Sequence, residues 1–182
     1  MAGRRPGHGR PAPAHRRARD GRAASLVRPG TLDVLDALAG RGRIEQEVER
    51  ACAALGEAGG PLVVSHRDLH DGQFLWDGRE LSLLDLDTAA TAEAALDLGN
   101  LAAHVDLMRI QGRLGPEAHS RVLGLLDDVA VRLPTDSQRL RAYRAASLLR
   151  LTLIHVFRPG AGPWLAAWTH HVLHTTTERR PS

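Results

Sequence analysis

Residues 65–76 read SHRDLHDGQFLW, placing two His, two Asp, an Arg and a Gln within twelve positions between apolar segments. His66, Asp68, His70 and Asp71 follow an apolar run, and a loop leaving a strand end is a usual place for chemistry. Ten residues after Gln73 the chain reads LLDLDTA, which puts Asp85, twelve residues on, and Asp87 at the end of a second apolar run. A carboxylate in the first loop and one at the end of the following hairpin can converge on one point. Two carboxylates and an amide on rigid strands suit a hard cation such as Mg²⁺, which prefers oxygen ligands. One further carboxylate can accept a proton from an attacking hydroxyl.

The elements that must position these residues are legible in outline. Ile44, Val48, Ala51, Cys52 and Leu55 recur at helical spacing, so the reading is a helix with Cys52 turned to the core. GEAGGP ends that helix. LVVS at 62–65 is short and β-branched and reads as a buried strand. QFLW and ELSLLDL flank Asp77-Gly78, a strong hairpin signal. Leu98, Leu101, Val105 and Met108 line one helical face, and Val122, Leu125, Leu126 and Val129 another. Residues 136–157 turn apolar on all sides near LLRLTLIHVF, which marks a buried helix, and 163–176 reads as a last helix. There are no internal repeats. The order is helix, strand, polar loop, hairpin, then about four helices: a mostly helical α+β domain whose small sheet carries the polar loop.

HRDLHDGQ followed twelve residues later by LDLD resembles the aminoglycoside phosphotransferase and choline kinase-like superfamily, within the wider protein-kinase-like fold. The motif order covers about 43–110 and extends toward the helical C-terminus. The resemblance implies a kinase-like C-lobe in which the hairpin carries the catalytic and metal loops. Asp68 then matches the catalytic Asp that orients or deprotonates the acceptor hydroxyl, and His66 braces its loop. Asp85 matches the metal-binding Asp. Gln73 stands where the family has a metal-binding Asn, one methylene longer. Asp87 adds a second or outer metal contact, and Asp97, in LDLGN, matches an Asp that ties back to the catalytic loop. The implied reaction moves a phosphoryl group from ATP, or another nucleoside triphosphate, with Mg²⁺, to a hydroxyl of a small molecule. Positioning and charge neutralisation dominate such chemistry.

Charge is unevenly placed. Residues 1–30 hold eight Arg and one acid, leaving 16 Arg against 20 acids in the rest. The net charge of +3 therefore describes a basic leader attached to an acidic domain. Residues 1–30, rich in Pro, Gly, Ala and Arg, read as a disordered basic segment, and 31–178 as the phosphotransferase C-lobe. No Arg cluster on the domain marks specific nucleic-acid binding, although the leader can touch nucleic acid or anionic lipid nonspecifically. No apolar run reaches membrane-span length, and the single Cys52 excludes an internal disulfide, so the expected setting is cytoplasmic.

All 24 basic residues are Arg; there is no Lys. The family's N-terminal lobe covers the nucleotide and supplies a Lys, and no set of strands fits before residue 62. Three explanations stay open: a gene start lying upstream, a decayed or split gene, or a lobe acting alone. Two other functions stay open as well, a non-catalytic kinase-like binding module and a metal-dependent phosphohydrolase built on His66, Asp68, His70 and Asp71. The plainer readings are that His70 and Asp71 are solvated turn residues, that Asp97 is structural, and that Cys52 is inert. Likewise, His170, His171 and His174 form a surface cluster, and Trp164 and Trp168 pack against the buried helix.

Overall fold

The computed structural model describes residues 41–57 and 59–177; the basic segment 1–30 and the domain start at 31 lie outside the described residues. Helix α1 (Arg41–Gly56) leads to strand β1 (Leu62–Ser65) and the polar loop. Strands β2 (Phe74–Trp76) and β3 (Leu81–Leu83) follow, then β4 (Ala90–Glu93). Helices α2 (Ala94–Ile110), α3 (Pro116–Ala130), α4 (Ser137–Val156) and α5 (Gly162–Thr177) complete the chain. The architecture is mostly helical α+β with two small antiparallel sheets, β1–β4 and β2–β3.

Local chemistry explains the boundaries that matter. The β2–β3 turn forms because the Asp77 carboxylate accepts from the backbone N–H of Arg79 at 2.8 Å and of Glu80 at 2.7 Å. Gly78 supplies the positive φ of 98° that this turn needs. Helix α4 starts where the Asp136 carboxylate accepts from the Arg139 N–H at 2.8 Å, an N-cap.

Helix α4 is central and packs on α1, α2 and α5. Leu148, Leu149 and Leu151 meet Ala103 and Leu107 of α2 and Trp168 of α5. Trp168 is fully buried, and its indole N–H donates to Thr152 Oγ1 at 3.0 Å, which satisfies the one polar atom its burial would strand. A Cβ on Gly99 would meet Arg144 N at 2.7 Å and Tyr143 backbone at 2.8 Å. Only glycine lets α2 and α4 cross so closely, just where α2 reaches the polar loop.

A buried ion pair joins the sheet to the helices. Arg139 donates from Nε to Glu93 Oε2 at 2.8 Å and from Nη2 to Oε1 at 2.5 Å. Its Nη1 reaches the Ala54 carbonyl at the end of α1 at 2.7 Å. Glu93 also accepts from Tyr143 Oη and from the Gly60 N–H, both at 3.0 Å. One carboxylate at the end of β4 thus ties together α1, the entry to β1, and α4.

Several sequence expectations need correction. β1 is not a buried strand. Leu62 and Val64 are 65% and 85% exposed, while alternation along the strand buries Ser65 at its end. Its partner β4 was missed, because ATAEAA reads locally as helix and becomes strand only by pairing, with Val63 opposite Ala92 and Ser65 opposite Ala90. Cys52 is exposed: it lies one residue, about 100° of helical turn, beyond buried Ala51. The apolar face expected of α3 is only partly covered; no residue of the helix is fully buried, Val122 and Leu126 are half-buried, and Leu125 and Val129 stay exposed.

Candidate functional site

The polar loop is built by backbone hydrogen bonds before any side chain is placed for chemistry. The hairpin register sets Phe74 opposite Leu83, and the Leu84 N–H continues the ladder by donating to the Gln73 carbonyl at 2.8 Å. Asp85 is the next residue, so Gln73 and Asp85, far apart in sequence, belong to the same end of the hairpin. The Leu84 carbonyl in turn accepts from His66 Nε2 at 2.7 Å. Because a carbonyl can only accept, the His66 proton sits on Nε2. Its Nδ1 is then a lone pair, which faces the Asp68 N–H at 3.4 Å. His66, 5% exposed, therefore joins the loop carrying Asp68 to the strand carrying Asp85.

Helix α2 clamps the same loop from the other side. The Asp97 carboxylate accepts from the His66 N–H at 2.6 Å and the Arg67 N–H at 2.8 Å. One turn on, Asn100 donates to the Leu69 carbonyl at 2.9 Å. Thr88 Oγ1 donates to the His66 carbonyl at 3.0 Å. These contacts hold Arg67 at φ 71°, while Asp85 adopts φ 55° at the opposite edge of the site. A left-handed non-glycine residue costs roughly 1–2 kcal/mol, and both instances flank Asp68 and the hairpin end.

Asp68 is half-exposed. Its Oδ1 lies 3.4 Å from Arg150 Nη2 on α4, and its Oδ2 lies 4.0 Å from His70 Nε2. Arg150 Nη2 also donates to Asn100 Oδ1 at 2.8 Å. Asp85 and Asp87 are exposed, and neither carboxylate makes a hydrogen bond or ion pair among the described residues. Both remain open to a cation.

His70 and Asp71 are turn residues, yet half-buried rather than solvated. His70 Nδ1 accepts from the Gly72 N–H at 3.0 Å and caps the short 3₁₀ turn Asp71–Gln73. The proton is then on Nε2, which faces the Gln73 amide at 3.2 Å. A donor there requires the Gln73 oxygen on its side, since the two amide positions are told apart only by such bonding. His70 stacks on His104 with ring centroids 4.8 Å apart. Burial, then the nearby His70, pushes the His104 imidazole down to about 4, so the His104 ring is neutral at pH 7.

His70, Asp71 and His104 are the described residues whose ligand atoms gather within 4.8 Å as a possible metal group. The bonding opposes that use. His70 cannot accept from Gly72 at Nδ1 and ligate through Nε2 without becoming an imidazolate, and Arg113 already pairs with Asp71 at 2.9 Å. Asp68, Asp85 and Asp87 form no such three-residue group. Mg²⁺ does not require one, because it usually takes one or two carboxylates and completes its shell with water and substrate phosphates. The free Asp85 carboxylate and the second lone pair of the Gln73 amide oxygen fit that donor set.

The remaining readings divide. His170 and His174 stack on the surface 6.1 Å apart, whereas His171 turns inward to within 3.6 Å of buried Asp106. The sequence reading did not find Asn100, Thr88, Arg150 or His104. Asn100 carried a signal, three residues after Asp97 and on the same face of α2. Thr88, Arg150 and His104 carried none, because their partners are distant in sequence.

No helix among the described residues is long and apolar enough to cross a membrane. No curated protein matches the chain. The model of the phosphotransferase enzyme family matches residues 2–143, more than three-quarters of the 182. With the His66–Asp68 loop and the Asp85 strand joined as that resemblance implies, the chain belongs to the phosphotransferase enzyme family, the aminoglycoside phosphotransferase and kinase-like group.

Proposed function

We propose that this chain carries the catalytic C-lobe of an ATP-dependent small-molecule phosphotransferase working in the cytoplasm. The observation that supports it is the double use of Leu84. Its N–H and C=O bind Gln73 and His66, so the loop bearing Asp68 and the strand bearing Asp85 move as one unit. In this reading Asp68 orients the acceptor hydroxyl and takes its proton. The acceptor oxygen bonds to the γ-phosphorus, the bond to the β–γ bridging oxygen breaks, and ADP leaves. His66 and Asp97 fix the loop. Gln73 and Asp85 would hold Mg²⁺, and Asp87 would add a further carboxylate beside them. Mg²⁺ would supply charge neutralisation on the phosphates.

A phosphohydrolase built on the loop's own histidines is less well supported. Both ring nitrogens of His66 and of His70 already face hydrogen-bond partners. A non-catalytic kinase-like module has one observation in its favour, the absence of Lys from the chain.

Nucleotide linkage separates the enzyme from the module. Mg²⁺ with ATP at about 100 times its Kd is expected to stabilise the full chain by roughly 2–3 kcal/mol in urea unfolding. Asp85→Asn is expected to remove most of that gain while leaving unliganded stability unchanged. Equal stability with and without Mg²⁺ and ATP favours the module.

A further inference from the structure

A cavity of about 260 Å³ opens beside Asp68 between α2 and α4. Arg67 and Arg150 line it together with Asn100, Ser147 and Tyr143, and no acidic residue does. Arg67 makes no side-chain hydrogen bond or ion pair among the described residues. Its backbone is held at φ 71° by the Asp97 clamp. Arg150 spends Nη2 on Asn100 at 2.8 Å, with Asp68 3.4 Å away, and a guanidinium has five N–H donors in all. Two of the three nearby acids are engaged elsewhere, Asp97 on the loop backbone and Glu93 on Arg139, Tyr143 and Gly60, while Asp68 faces Arg150 from outside the lining.

A cationic ligand placed here would face two like charges. An anionic group would meet forked donors that suit carboxylate and phosphate geometry. We propose that this cavity receives the carboxylate or phosphate of an acidic acceptor, holding its hydroxyl at Asp68, so that the enzyme acts on hydroxy acids or sugar phosphates rather than amino sugars or amino alcohols. The hydroxyl part rests on the phosphotransfer reading; the anion site does not.

Inorganic phosphate titrated calorimetrically into the full chain, without nucleotide, tests the site. Saturable binding is expected, weakened at least ten-fold in the Arg67→Gln/Arg150→Gln double variant with its circular dichroism unchanged. Absent binding, or equal binding by the folded double variant, overturns the proposal. Displacement of phosphate by ADP with Mg²⁺ would assign the cavity to the nucleotide and overturn it too. A panel with Mg²⁺ and ATP then compares glycerate and glycerol 3-phosphate with choline and an amino sugar. Preference for the acids supports the proposal, and preference for the amines overturns it. Arginine-dependent phosphate binding without transfer to any acceptor leaves the anion site standing and sinks only the phosphotransfer reading.

Discussion

Asp68→Asn is expected to fold like the parent chain and to lose phosphoryl transfer by about a thousand-fold or more. Asparagine matches the shape of aspartate and keeps an oxygen near Arg150, 3.4 Å away in the parent. It cannot take a proton from the acceptor hydroxyl. Positioned acid–base groups contribute about 10²–10⁴-fold, so the loss appears mainly in kcat. The side chain is about half-exposed, and its backbone N–H contact to His66 survives the change. Unfolding free energy should therefore shift by no more than about 0.5 kcal/mol. Transfer within ten-fold of the parent in a folded Asp68→Asn protein would remove Asp68 from the chemistry.

The second large effect concerns stability and acid. Arg139, with help from Gly60 and Tyr143 against the cost of burial, lowers the Glu93 carboxyl from 4.5 to about 2. A carboxyl depressed on folding stabilises the native state fully above its unfolded value, and that contribution disappears as pH falls through the folded value. The shift corresponds to about 3 kcal/mol, the same order as breaking a buried pair and stranding its partner's charge. Glu93→Gln should thus unfold about 3 kcal/mol more easily than the parent at pH 7. The gap should close between about pH 4.5 and 2, because only the parent has this charge to lose. A gap of constant size from pH 6 to 3 would assign the effect to packing. Glu93 also stands directly before α2, which carries Asp97 and Asn100 to the loop, and ties that end to Arg139 and Tyr143 of α4, so the variant should lose the loop's geometry near its own melting temperature.

The parts of this molecule legible in the sequence are those governed by neighbours along the chain. The Asp77-Gly78 turn, the hairpin around it and the long apolar helix α4 each follow from local geometry or periodicity. Spacing also placed Asp85 at the end of the hairpin that starts beside Gln73, since a hairpin of fixed register returns its end to its start. β4 was not legible, because its strand character comes from β1, 27 residues or so upstream, and its own residues are mostly alanine. The exposure of Leu62 and Val64 was equally hidden: a four-residue apolar run says strand, but not whether both faces are covered. Arg150 reaches Asp68 across 82 residues, and no pattern in one sequence carries that distance.

Phosphoryl transfer is tested most directly by following the label of [γ-³²P]ATP in the presence of Mg²⁺, the full chain and a panel of small hydroxyl compounds that includes hydroxy acids and sugar phosphates. Label should move to an acceptor with one ADP formed per product, and chelation of Mg²⁺ should stop it. Label that stays in ATP across the panel, with a folded protein, would contradict phosphotransfer and leave a kinase-like binding module.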